Sequence, residues 1–222
     1  MLSFLPVLEE LDVDGAIRET AEKVDGDTRA AFLRKAGVGA GAVIGSGAIF
    51  GVLPSIAGAR TSGVSKGDVA ILNYALTLEY FEAAFYTEAV ASGAMKGKVA
   101  TFAKVVMAHE VAHVTALKAT LGSAAVKKPK FNFKGTTKNQ AKFQATSQVL
   151  EDTGVAAYLG QVANIKSKAV LGAAGSILPI EARHAGWIRD INGTSGAPKA
   201  FEEGKSMSQI LAAVKATGFI VG

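Results

Sequence analysis

One acidic residue and one short acid–imidazole motif each occur twice in this chain, at nearly the same interval. Glu79 precedes Glu110-Val111-Ala112-His113, and Glu151 precedes Glu181-Ala182-Arg183-His184; the two spacings differ by a single position. The step from Glu79 to Glu151 likewise differs by one position from the step between the two ExxH motifs. Each lone glutamate carries a tyrosine seven positions on, Tyr86 and Tyr158. Four carboxylates and two imidazoles from four helical segments form the donor set of a two-metal carboxylate site in a helix bundle. Residues three apart on a helix share a face, so Glu110 with His113, and Glu181 with His184, can each offer an oxygen and a nitrogen to one cation. Glu79 and Glu151 complete or bridge the pair. Four buried carboxylates without counterions are very unfavourable, and two divalent cations balance them. Mixed carboxylate and imidazole ligation suits two iron ions, with manganese or zinc as the competing metals.

The elements that must position these groups read as helices from Ser65 onward. Seams at alternating spacings of three and four run Val69, Leu72, Leu76, Glu79, Ala83, Tyr86, Val90; then Val99, Ala103, Val106, Glu110, His113, Leu117. They continue as Glu151, Val155, Tyr158, Val162, Ile165 and as Val170, Ala174, Ile177, Glu181, His184, Ile188, Ile191. Each is an apolar face with its polar group inside it. Between residues 89 and 200 the only glutamates are Glu110, Glu151 and Glu181, and two of the three histidines occupy the ExxH positions. A helical glutamate is ordinarily solvated, and a lone histidine on an apolar face is ordinarily a satisfied core group. The coincidence of spacing and scarcity here favours metal. Of the neighbours, His109 is expected to face away from His113, at the surface or behind the ligands. Glu82 and Glu88 are expected to be exposed, and Asp152 is an ambiguous neighbour of Glu151. Pro179 removes a backbone donor two positions before Glu181 and is expected to kink that helix, with Glu181 open to displacement.

The connections decide the topology. The links around Ser92-Gly93-Ala94 and from Asn164 to Ser167 are short and make antiparallel hairpins. The link from Gly122 to Lys138 is long enough to run the height of a bundle, which leaves the second and third helices parallel. Its Phe131 and Phe133 are expected to pin it to the surface. The near-constant offset between the two motif sets is what two related hairpins leave behind.

The segments ILNYALTLEYFEAAFY, AHEVAHV, LEDTGVAAYLG and ILPIEARHAGWIR resemble the ferritin-like domain family of secreted bacterial and desiccation-related proteins, and more distantly bacterioferritin and rubrerythrin. The likeness covers roughly residues 65–189, and SMSQILAAVKATGFIVG resembles that family's C-terminal helix. The resemblance implies an all-α fold: a ferritin-like four-helix bundle with a long crossover between helices two and three, plus a short C-terminal helix. It implies Glu79, Glu110, His113, Glu151, Glu181 and His184 as metal ligands. It also implies Tyr86 and Tyr158 as hydrogen-bond donors to a bridging carboxylate across the bundle. Each tyrosine lies two turns beyond the glutamate of its own helix, so the reachable partners are Glu151 for Tyr86 and Glu79 for Tyr158.

Residues 1–59 read as a separate N-terminal arm, and residues 60–222 as the ferritin-like domain. Thr28 to Lys35 is basic, Ala36 to Ala59 carries no charge, and Ala57-Gly58-Ala59 gives an A-x-A just before Arg60. This order describes an export signal. The region resembles a twin-arginine signal with Ala30 where the second arginine belongs. A helix of about 22 residues from the uncharged run would span roughly 33 Å, enough to cross a bilayer, so a retained anchor is the alternative to cleavage. A buried or interfacial helix is a third. The expected location is exported or membrane-anchored.

The chain of 222 residues contains no cysteine, which excludes disulfides, thiolate zinc sites and iron–sulfur clusters. From Arg60 onward, nineteen Lys and Arg face eleven Asp and Glu, four of the latter being proposed ligands. The basic exterior suits an anionic membrane or cell-wall surface. No recognition helix or phosphate loop is visible, and nucleic acid is not the expected partner. A homo-oligomer is expected. The leading functional expectation is a di-iron or dimanganese centre reacting with dioxygen or peroxide. The alternatives are a non-catalytic metal-binding protein and a structural envelope or assembly protein on the same scaffold.

Overall fold

The computed structural model describes residues 64–221, so the basic and apolar stretch read as an export signal or anchor lies outside the described residues. Within them, no helix is long and apolar enough to cross a membrane. Among the described residues, five α-helices follow one another: α1 (Lys66–Ser92), α2 (Gly97–Leu121), α3 (Gln140–Val162), α4 (Lys168–Ile191) and α5 (Met207–Thr217). The fold is an all-α, ferritin-like bundle of four long helices with a short fifth, as the sequence implied.

Local chemistry sets the helix ends. Ser65, Asn139, Ser167 and Ser206 each accept a backbone N–H of the first turn of the helix they precede. Ser206 and Gln209 form a reciprocal capping box on α5. Gly93 ends α1 in the left-handed conformation, φ 66°. α4 continues as one helix through Pro179, which lies on its less buried side, and Glu181 still reaches the bundle interior. The displacement of Glu181 expected from that proline does not occur.

α1 packs on α2 and α3 on α4 as antiparallel hairpins, with α1 against α3 and α2 against α4 across the bundle. The crossover between the hairpins leaves α2 beside the start of α1, where Val126 N–H donates to Asn73 Oδ1 at 2.8 Å. It ends beside the last turn of α1, where Ser92 Oγ donates to the Thr137 carbonyl at 2.9 Å. The rise of α1 from Asn73 to Ser92 is about 28 Å, so the link climbs nearly the whole bundle and α3 runs parallel to α2. Phe133 does more than pin this link to a surface. It is buried among Phe81, Phe85 and Phe219, while Phe131 is half-buried against Phe81. The crossover is also tied to the end of the chain: Asn132 N–H donates to the Phe219 carbonyl at 2.8 Å and Val221 N–H to the Lys130 carbonyl at 2.9 Å.

At the opposite corner, buried Asp68 accepts the backbone N–H groups of Lys166 and Ser167 at 2.9 and 3.0 Å, which locks the α3–α4 link to the first turn of α1. The apolar core divides above and below the polar layer. Phe85, Tyr86, Phe102 and Phe143 fill one end; Leu72, Leu76, Leu117, Leu121, Val170 and Ile177 fill the other. α5 buries Ile210 and Val214 against Tyr74, Leu78, Ala156 and Ala157.

Candidate metal centre

The middle turns of the four long helices carry the polar layer. α1 supplies Glu79, α2 Glu110 and His113, α3 Glu151, and α4 Glu181 and His184; the four glutamates are 0% exposed, His113 7% and His184 2%. All six residues singled out by spacing therefore meet in one closed volume. Two donor groups emerge, each with its ligand atoms within 4.8 Å of one another. One comprises Glu79, Glu110, His113 and Glu181, the other Glu110, Glu151, Glu181 and His184.

The contacts show how the groups share carboxylates. His113 Nδ1 lies 3.2 Å from Glu79 Oε2, 3.1 Å from Glu110 Oε2 and 3.2 Å from Glu181 Oε1. His184 Nδ1 lies 3.1 Å from Glu110 Oε1, 3.2 Å from Glu151 Oε2 and 4.0 Å from Glu181 Oε2. Glu110 and Glu181 thus face both imidazoles, whereas Glu79 and Glu151 face one each. Tyr158 donates to Glu79 Oε1 at 2.5 Å, and Tyr86 donates to Glu151 Oε1. These are the cross-hairpin pairings expected from the sequence, with one correction: the tyrosines hold the end carboxylates, not a bridging one. A tyrosine two turns along from its own glutamate meets the end glutamate of the facing hairpin.

Each imidazole Nδ1 carries at most one proton, yet three carboxylate oxygens converge on it. The surplus is visible in the hydrogen bonding: Glu110 Oε1, Glu151 Oε2, both Glu181 oxygens and His184 Nδ1 are buried with no hydrogen-bond partner. Orphaned buried oxygens around a ring nitrogen are the arrangement a divalent cation satisfies and a proton does not. Burial and mutual repulsion push Glu79 and Glu181 above the usual carboxylate range, and burial pushes Glu151 up to about 7. Burial acts against charged His184, but Glu110 and Glu151 outweigh it and raise the imidazole to about 10. Glu110 is held low, because burial is outweighed by the two histidines beside it. Without a cation, the cluster survives by sharing protons.

Two further residues belong to this layer: Glu82, against expectation, and His109, in one of its two expected places, behind the ligands. Glu82 is buried, 4% exposed, and not solvated as its sequence position suggested. It lies three positions after Glu79 and so on the same face of α1. The signal was available in its counterpart: three positions after Glu151 the chain has Gly154. A Cβ there would stand 3.0 Å from Glu181 Oε2 and 3.5 Å from Glu82 Oε1. His109 is half-buried and its Nδ1 lies 2.8 Å from His184 Nε2, with the two rings stacked. It serves the histidine of the other hairpin, which no periodicity within α2 could reveal. Glu88 is also less exposed than expected, and accepts from Thr137 Oγ1. Asp152 finds its role outside the cluster, in a two-point contact with Arg189 (3.0 and 2.7 Å) that joins α3 to α4.

Comparison with known proteins agrees with this geometry. No curated protein matches the chain. The family model described as Ferritin-like domain matches residues 67–194, a span that holds nearly all of the four long helices and every residue of the cluster. The chain belongs to the ferritin-like domain family.

Proposed function

We propose that the chain is a di-metal carboxylate protein whose two cations are iron or manganese, and that it reacts with dioxygen or peroxide. One observation carries the reading: the duplicated Glu and ExxH sets converge in a closed layer where five polar atoms lack hydrogen-bond partners. The residues fit the group. Glu79, Glu110, His113 and Glu181 would hold one cation, and Glu110, Glu151, Glu181 and His184 the other. When bound, a pair of redox-active ions supplies one-electron steps and Lewis acidity.

The chain's own part is positional and electrostatic. Tyr86 and Tyr158 fix one oxygen of each end carboxylate, so the other oxygen points at the cluster. His109 contacts the outer nitrogen of His184 and orients that ring with Nδ1 inward. Phe85, Phe102 and Phe143 above the layer and Leu76, Leu117 and Ile177 below it exclude water. Tyr86 and Tyr158, raised by burial and by the carboxylates they bond, stay protonated and keep donating.

The test is metal analysis of the purified full chain, followed by anaerobic loading with Fe(II) and admission of air. Two bound ions and a change in the optical spectrum on exposure support the proposal. Bound metal with an unchanged spectrum would reduce the protein to a metal holder, and absence of metal would reduce the bundle to a scaffold.

A further inference from the structure

Six ligands account for four of the five buried carboxylates in the polar layer. Glu82 is the fifth. Among the described residues it makes no ion pair, although it is 4% exposed and enclosed by other acids. A buried carboxylate in such a place is unfavourable unless a cation compensates it. The facing helix is shaped around it. Gly154 stands in the interior of α3, where glycine is a poor helix former, and a methyl group there would crowd Glu181 Oε2 at 3.0 Å and touch Glu82 Oε1 at an ordinary contact distance of 3.5 Å. The Glu82 carboxylate and Glu181 Oε2 therefore share the space in front of Gly154. Glu181 Oε2 is also the oxygen that faces His184 rather than His113.

The hairpin register makes this one-sided. The step along the chain that carries Glu79 onto Glu151 carries Glu82 onto Gly154. One half of the bundle contributes an extra carboxylate, and the other contributes the room for it. The His113 side has no equivalent.

We propose that Glu82 is a further protein ligand to the cation held by Glu110, Glu151, Glu181 and His184. The two cation positions are then inequivalent, and the His184 position fills first and more tightly. Added carboxylate ligands raise the affinity of a site for a hard or borderline divalent cation. The proposal rests on the two-cation reading above.

The experiment is anaerobic titration of metal-free full chain with Co(II), followed by calorimetry and visible absorption. The native chain is expected to take up two ions in steps separated at least ten-fold in affinity. Glu82→Gln keeps the shape and removes the charge. It should weaken the tighter step at least ten-fold and alter its visible spectrum, leaving the weaker step within two-fold. Gly154→Ala should weaken the same step by crowding the shared space, and it carries the test if Glu82→Gln does not fold by circular dichroism. His113→Ala should remove the weaker step and keep the tighter. Two steps unchanged in Glu82→Gln, or weakened alike, would overturn the role of Glu82 while leaving two bound cations in place. A native chain that takes up no Co(II) would overturn both readings.

Discussion

Laid side by side, residues 78–88 of α1 read Leu-Glu-Tyr-Phe-Glu-Ala-Ala-Phe-Tyr-Thr-Glu, and residues 150–160 of α3 read Leu-Glu-Asp-Thr-Gly-Val-Ala-Ala-Tyr-Leu-Gly. The glutamate that faces an imidazole and the tyrosine that crosses the bundle are common to both. The other two acids of this stretch of α1, Glu82 and Glu88, are replaced in α3 by Gly154 and Gly160. Neither glycine is idle. Gly154 faces the Glu82 carboxylate, and Gly160 lies against the chain leading into α5, where an added Cβ would meet the Lys205 carbonyl oxygen at 1.9 Å. Lys205 N–H also donates to the Ala156 carbonyl at 2.9 Å in this contact. The hairpins have kept their ligands alike and let the surroundings diverge: the first half supplies extra polar groups, the second supplies space.

The comparison breaks first, and most visibly, at the shared carboxylates. Glu110 and Glu181 come from different halves but each faces both histidines, so Glu110→Ala and Glu181→Ala should be equally damaging. A cation bound only by the folded chain adds about 2.7 kcal/mol when its free concentration is a hundred times Kd, so two cations add roughly 5 kcal/mol. Chelation of the native protein should therefore lower Tm by many degrees in a thermal melt, and either substitution should erase most of that difference. A native protein that melts at one temperature with and without chelator would remove the metal from the account.

A smaller effect is expected from pH in the chelated protein. Glu151 is raised to about 7 in the fold, above its unfolded value, so its contribution is complete below the ordinary glutamate range and is lost as pH rises through 7. His184, raised to about 10, contributes fully below the ordinary histidine pKa and loses that contribution as pH rises through 10. Both slopes point the same way. Urea unfolding of the metal-free chain should show stability falling between pH 5 and pH 10, by up to roughly 3 kcal/mol for the glutamate alone. With metal bound the trend should reverse, because ligands must lose their protons to coordinate. A chelated protein that gains stability with alkali would contradict proton sharing in the cluster.

The smallest effects sharpen the glycine side of the comparison. Gly160→Ala forces a methyl group into backbone and should cost roughly 1–3 kcal/mol in urea unfolding. Gly172→Ala, at an exposed position of α4 with nothing within 4 Å of the new methyl, should stabilise by roughly 0.4–1 kcal/mol. Equal responses at both positions would mean that the approach of Lys205 carries no packing constraint.

The six cluster residues were legible in the sequence because a carboxylate on an apolar face is rare and the spacing recurs. The topology was legible from loop lengths, two short and one long. Glu82 was missed because the seam of α1 was read through Glu79, Ala83 and Tyr86, and the groups it lies near, Gly154 and Glu181, belong to helices of the other hairpin. For His109 the place behind the ligands was one of two expected, and only its partner, His184 of the other hairpin, was unnamed. Periodicity within one helix reports which face is turned inward, and says nothing of a complementary pair split between two helices. Phe133 was expected to pin the crossover to the bundle and does so, but the link passes close enough to α1 for its ring to join the core.

The antiparallel tie of the crossover to the final residues, Phe131 opposite Ile220, also orders events in time. Synthesis proceeds from the N-terminus at about 5–20 residues per second, and domains fold as their chain emerges. The last ligand-bearing helix is complete at Ile191, with the whole of α5 still to be made before Ile220. Both hairpins, with every group of the cluster, thus emerge from the ribosome ahead of the segment that straps the crossover. Order of emergence therefore leaves the strap as the last contact that can close, a stitch that fastens a bundle whose ligand-bearing helices are already outside.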